Sequence, residues 1–167
     1  IGKQKISEMT ANIAFAGFRH GHIYALLDLA RKNKDIEVVG AWEDYEPDKD
    51  TAITEHNVEF NYNTYNDILM DSKVDAVAIG NYYQASGQMD IDALKAGKHV
   101  ICDKPICTCM EELETIKALQ KEKNLSVFAM LDLRIDTNIQ AAKKLIDDGA
   151  IGEINNIYFG GQHPLLY

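Results

Sequence analysis

Short apolar runs of β character alternate with helix-spaced patterns along nearly the whole chain, and this alternation narrows the folds open to it. Residues 12–16 (N-I-A-F-A), 36–42 (I-E-V-V-G-A-W), 74–80 (V-D-A-V-A-I-G), 100–102 (V-I-C) and 125–130 read as strands, and 58–60 predicts one more short strand. Between them lie helical patterns: Ile23, Leu26, Leu27, Leu29 and Ala30; a mostly polar stretch opened by Pro47 and continuing to His56; and 65–70. Met89, Ile91, Ala93 and Leu94 mark a helix over 86–96 with Gly97 as its C-terminal cap, and Thr108 with Glu111 and Glu112 signals a helix running to about Lys123. Strands alternating with helices in this way predict an α/β fold, a doubly wound parallel sheet covered on both faces.

Beyond that sheet, 136–148 predicts an amphipathic helix closed by Gly149, and 154–159 a last strand. The expected organisation is a dinucleotide-type domain over 10–130 and the beginning of a second, α+β domain over 131–167, whose remainder lies outside the sequence.

With 167 residues, 46% hydrophobic and 26% charged, the chain has ordinary globular composition. Its net charge of −9, with the cations scattered, argues against a nucleic-acid partner, and no apolar run has the length of a membrane span. The opening ten residues are polar and carry no secretory pattern, and the three cysteines (Cys102, Cys107, Cys109) are an odd number, so a reducing, cytoplasmic location is expected.

The carboxyl edge of such a sheet is where ligands bind. Gly17 stands at the first turn, between a strand and a helix, where a dinucleotide fold needs its first glycine so that helix-start amides face a pyrophosphate. The next two glycine positions hold Arg19 and His22. Phe18, Arg19 and His20 complete the turn, with Arg19 either a phosphate ligand or an exposed turn residue. His20 and His22 read as polar turn and helix-start residues; no third metal ligand lies nearby in sequence, and no metal is expected. Glu43 ends the second strand 21 residues after His22, where a carboxylate accepts hydrogen bonds from adenosine ribose hydroxyls, with Asp44 as the alternative. An acid there repels a 2′-phosphate, so NAD is expected, with NADP as the second choice.

The segment 97–105 (G-K-H-V-I-C-D-K-P) delivers Asp103, Lys104 and Pro105 to the same edge. Together with V-D-A-V-A-I-G at 74–80, A-L-K-A-G-K-H-V-I-C-D-K-P at 93–105 and K-L-I-D-D-G-A-I-G-E-I at 144–154, it resembles the Gfo/Idh/MocA family, relatives of glucose-fructose oxidoreductase and inositol dehydrogenase. The family's usual Glu-Lys-Pro is here Asp103-Lys104-Pro105, with Pro105 matching a proline often preceded by a cis bond. The resemblance implies an NAD(P)-dependent oxidoreductase acting on a sugar, polyol or related small molecule, homo-oligomeric when full-length. It gives Lys104 a catalytic place beside nicotinamide and substrate hydroxyl.

The loop after 74–80 departs from the family's Thr-Pro-Asn and following histidine: the residues are Asn81, Tyr82, Tyr83 and Ser86, of which Asn81 and Tyr82 either line the nicotinamide pocket or pack the loop. His163 lies in what resembles the family's early second domain and either approaches substrate or is structural, and Arg134, at the domain junction, either touches substrate or pairs with nearby acids. The family's aspartate and histidine acid/base partners would follow Tyr167, so this stretch alone is expected to show little catalysis. A non-catalytic dinucleotide sensor is the alternative, argued from the altered turn and loop.

Overall fold

A computed structural model describes residues 10–160. Five strands, β1 (Ala11–Ala16), β2 (Ile36–Trp42), β3 (Ala76–Ile79), β4 (His99–Cys102) and β5 (Val127–Ala129), form one sheet in the order β2-β1-β3-β4-β5. Every pairing is parallel. The connecting helices are α1 (His22–Lys32), α2 (Glu46–His56), α3 (Tyr65–Met70), α4 (Tyr83–Lys95) and α5 (Met110–Lys123). Chain progress reverses between β1 and β3, since β1 leads to β2 on one side and β3 to β4 on the other. A crevice therefore opens at the carboxyl ends of those two strands.

The period of two along each strand divides the core. Ile13, Phe15, Ala76 and Ala78 pack on one face with Ile23, Leu27 and Ala30 of α1. Ala14, Ala16, Val77, Ile79, Val100 and Cys102 pack on the other with Ile91 and Leu94 of α4 and Ile116 of α5. Helix α2 buries only Ala52, as its polar sequence predicts. Helix α3 begins with a capping box in which Thr64 and Asp67 satisfy each other's backbone amides.

Three elements differ from expectation. Residues 58–60 make a single parallel bridge, Ala41 to Phe60, instead of a strand. The carboxamide of Asn61 takes the place of further pairing at the β2 edge, accepting from Ala41 N–H at 3.0 Å and donating to Val39 C=O at 2.9 Å. Helix α5 starts after Cys109, without a side-chain cap, while Thr108 donates its own N–H to Glu112 at 3.3 Å. The third difference lies in the second of two compact units, which divide between Met130 and Leu131. There a 3₁₀ turn (Asp132–Arg134) precedes α6 (Thr137–Asp147), capped by Asp136, whose carboxylate accepts from Asn138 and Ile139 N–H at 2.9 and 3.0 Å. Residues 154–159 form no strand; the described part of this unit offers no second strand to pair with. Among the described residues no helix is long and apolar enough to cross a membrane.

Candidate dinucleotide and catalytic edge

The residues expected to form the site follow the ends of four strands: Gly17, Phe18, Arg19 and His20 after β1, Glu43 and Asp44 after β2, Asn81 and Tyr82 after β3, and Asp103, Lys104 and Pro105 after β4. Gly17 adopts φ +85°, and a Cβ there would sit 2.9 Å from the Asn81 backbone nitrogen, so both conformation and close approach require glycine. Arg19 N–H donates to Gly80 C=O at 2.8 Å, tying the turn to the end of β3. The amides of His20, Gly21 and His22 stand at the mouth of α1 with no protein acceptor among the described residues, an arrangement chemically suited to an anion.

Glu43 is built into this turn. Its side chain is fully enclosed, with one oxygen accepting from Phe18 N–H at 2.6 Å and the other from Asp44 N–H and Tyr45 N–H, both at 2.9 Å. Arg19 adds a fourth bond, Nε to Glu43 at 3.0 Å, and continues to Asp44 at 2.8 Å and Asp48 at 3.6 Å. The guanidinium lies 4.4 Å from the Tyr45 ring centroid and 5.5 Å from that of Tyr82. Burial works against its charge, yet Asp44 and Glu43 outweigh burial and raise the guanidinium above its ordinary value. Glu43 is thus engaged from within the fold, whereas Asp44 is 59% exposed to solvent.

Segment 97–105 holds two lysines at opposite edges of the sheet. Lys98, before β4, is buried and donates to the carbonyls of Asp71 and Val74 at 2.7 and 2.8 Å, a purely structural arrangement. Lys104, after β4, is half-buried, and its ammonium makes no hydrogen bond among the described residues. The Lys104–Pro105 bond is cis. Asp103 between them is 2% exposed; its N–H donates to Ile79 C=O at 2.9 Å and its Oδ1 accepts Lys104 N–H at 2.7 Å.

Asp103 also reaches the first turn. His20 Nδ1 lies 2.6 Å from Asp103 Oδ2, and His22 Nδ1 lies 3.2 Å from Oδ1. The sequence offered no third ligand for the histidine pair because Asp103 is 81 residues from His22; parallel pairing of β1 with β3 and β3 with β4 brings them together.

A cleft of about 240 Å³ lies between Arg19, His20, Asn81, Tyr82 and Tyr83. Asn81 is turned inward, donating to Met89 Sδ at 3.2 Å and accepting Tyr82 N–H at 2.8 Å, whereas Tyr82 is 53% exposed. Ser86, at the position of the family's histidine, is buried and donates to Tyr82 C=O at 3.4 Å. In the second unit Arg134 accepts from the Gln140 carboxamide through its backbone carbonyl and is exposed. His163 lies outside the described residues.

Residues 11–130 match the family described as an oxidoreductase family with an NAD-binding Rossmann fold. The inositol 2-dehydrogenase of Salmonella typhimurium is 29% identical over 127 residues, 75% of this chain and 38% of that protein. The levoglucosan dehydrogenase of Pseudarthrobacter phenanthrenivorans is 33% identical over 87 residues, 52% of this chain and 22% of that protein. Scyllo-inositol dehydrogenase from Lactobacillus casei, solved with NAD(H) and scyllo-inositol, superposes with a TM-score of 0.74 at 30% identity, over 86% of this chain and 43% of that one. The chain therefore spans less than half the length of each of these relatives.

Proposed function

The chain belongs to the Gfo/Idh/MocA oxidoreductase family, with its NAD-binding Rossmann fold, and from that premise we propose that it forms the cofactor half of a dehydrogenase acting on a hydroxyl of a polyol or sugar. The observation that carries the proposal is the position of Lys104, directly after β4 and beside the crevice where the sheet order reverses, with its N–H donated to the Asp103 carboxylate. The amides of His20, Gly21 and His22 receive the pyrophosphate, and Asp44 receives the adenosine ribose. A bound nicotinamide supplies the hydride acceptor. The Lys104 ammonium would orient the substrate hydroxyl and stabilise the negative charge developing on its oxygen, while the carbinol hydride would pass to the nicotinamide and the hydroxyl proton to solvent, so that alcohol becomes carbonyl.

In this proposal residues 131–167 begin the substrate-binding and assembly part, Arg134 and His163 approach substrate, and the complete protein is a cytoplasmic homo-oligomer without a nucleic-acid or membrane partner. The likeness to inositol and levoglucosan dehydrogenases supports the polyol and sugar class. The three free thiols and the net charge of −9 support the location and the choice of partners. The test is turnover of NAD with a panel of inositols, sugars and anhydrosugars by the full-length protein and its Lys104→Gln variant. The substitution is expected to lower the rate by about 10²–10⁴-fold while NAD affinity holds. Turnover unchanged by the substitution would remove Lys104 from the chemistry, and NAD binding without turnover across the panel would overturn the dehydrogenase reading.

A further inference from the structure

His20, His22 and Asp103 present three potential ligand atoms that all lie within 4.8 Å of one another. Two ligands each about 2.1 Å from one ion and separated by a tetrahedral or octahedral angle sit roughly 3.0–3.4 Å apart. The observed separations of 2.6 and 3.2 Å between the histidine Nδ1 atoms and the two carboxylate oxygens bracket the lower end of that range.

Ordinary histidine–carboxylate pairing accounts for His22, whose Nδ1 is hydrogen-bonded to Asp103 Oδ1 at 3.2 Å, but not for His20. Asp103 Oδ2 and His20 Nδ1 are both buried and, despite their closeness, neither has a hydrogen bond of acceptable direction among the described residues. A carboxylate oxygen without a well-directed hydrogen bond on a residue only 2% exposed is costly, and among the described residues the group facing it is the misaligned His20 Nδ1. The oxygen is also held in place: Asp103 is fixed by its N–H bond to Ile79 and by the Lys104 amide on its other oxygen. The imidazoles stand nearly perpendicular at 4.5 Å, with the Tyr83 ring 6.1 Å from His20.

We propose that His20, His22 and Asp103 bind one divalent transition-metal ion of the zinc class. Two imidazole nitrogens and one carboxylate oxygen suit that class, and three protein ligands leave a further coordination position open. A water held at that position would be polarised by the ion. The site stands on its own donor geometry and does not depend on the dehydrogenase reading.

Tag-free full-length protein, stripped with chelator, is dialysed against Zn²⁺ and its metal content measured; a parallel titration with Co²⁺ follows the visible ligand-field bands. One ion per chain is expected. His20→Gln and His22→Gln should weaken binding by more than about 100-fold, because even removing an outer partner of a metal ligand costs 10–100-fold. Asp103→Asn should do the same, with circular dichroism confirming that each variant is folded. His56→Gln, whose ring stacks on Tyr24 outside the cluster, and the double variant Cys107→Ser/Cys109→Ser should bind as the parent does. Absence of saturable binding, binding that survives His20→Gln and His22→Gln, or binding that is lost with the thiols would overturn the proposal.

Discussion

Replacing Asp90 by Asn tests whether the core face of α4 holds a carboxylic acid in its neutral form. Asp90 is completely buried, and neither carboxyl oxygen has a hydrogen-bond partner among the described residues. Burial pushes its carboxyl from 3.8 up to about 8; the neighbouring Cys102 thiol opposes this weakly as a potential donor and Glu112 adds a smaller upward push. The folded chain therefore keeps a proton that the unfolded chain releases. Stability from this group is fully present below about pH 4, declines as pH rises, and is lost once pH passes the folded value of about 8. At 1.36 kcal/mol per pH decade, the wild-type carboxyl costs about 3 kcal/mol more at pH 8.5 than at pH 5.5. Asn has nearly the shape of the neutral acid and does not titrate in this range. Urea unfolding in a pH series should thus show Asp90→Asn gaining on the parent by about 3 kcal/mol, to order of magnitude, between those two pH values. Parallel stability curves, or a parent that gains on the variant as pH rises, would refute the reasoning.

Gly17→Ala combines a positive φ with a Cβ 2.9 Å from Asn81 N, and should cost about 2–4 kcal/mol in denaturant unfolding. Glu43→Gln leaves one carboxamide oxygen to serve four donors, and a loss of similar size, about 2–4 kcal/mol, is expected from the same measurement. Thiol labelling of the native protein should modify Cys109 first, since it is exposed. Cys107 should react more slowly, its thiol raised by burial, and Cys102, buried and raised further by burial and by Asp90, only upon unfolding.

The strands were legible because each is a short apolar run, and central β3, buried at every position, shows this most plainly, whereas the edge strand β5 leaves Phe128 63% exposed. What escaped depends on partners distant in sequence. Asn61 substitutes for a strand only because Gly40 leaves room, a Cβ there falling 1.9 Å from the Asn61 oxygen, and no local pattern announces that fit. Nor did spacing show that the turn around Glu43 supplies four donors and encloses its side chain. Asp90 is hidden in a helix pattern whose apolar members were enough to define the core face. The convergence of His20 and His22 on Asp103 becomes visible only when the strand order β1-β3-β4 is known.

The nucleotide end of the edge sets a charge balance that bears on cofactor choice. Arg19 faces three carboxylates, Glu43, Asp44 and Asp48, so two negative charges remain uncompensated around the one guanidinium. The neighbouring cation, Lys49, pairs with Glu46 at 3.5 Å and does not redress the balance. A 2′-phosphate would enter this field against repulsion, and Arg19 is not free to receive it without giving up bonds to acids already in place. Each exposed acid contributes up to about 1 kcal/mol, so NAD should bind about 10–100-fold more tightly than NADP at low salt. Quenching of the single tryptophan, Trp42 at the end of β2, provides the titration signal. Asp44→Asn should narrow the preference about threefold to fivefold, and rising salt should narrow it in the parent too, because Asp44 and Asp48 are solvent-exposed enough to be screened. Tighter binding of NADP than NAD, or a preference that neither Asp44→Asn nor salt alters, would show that these acids do not set the choice.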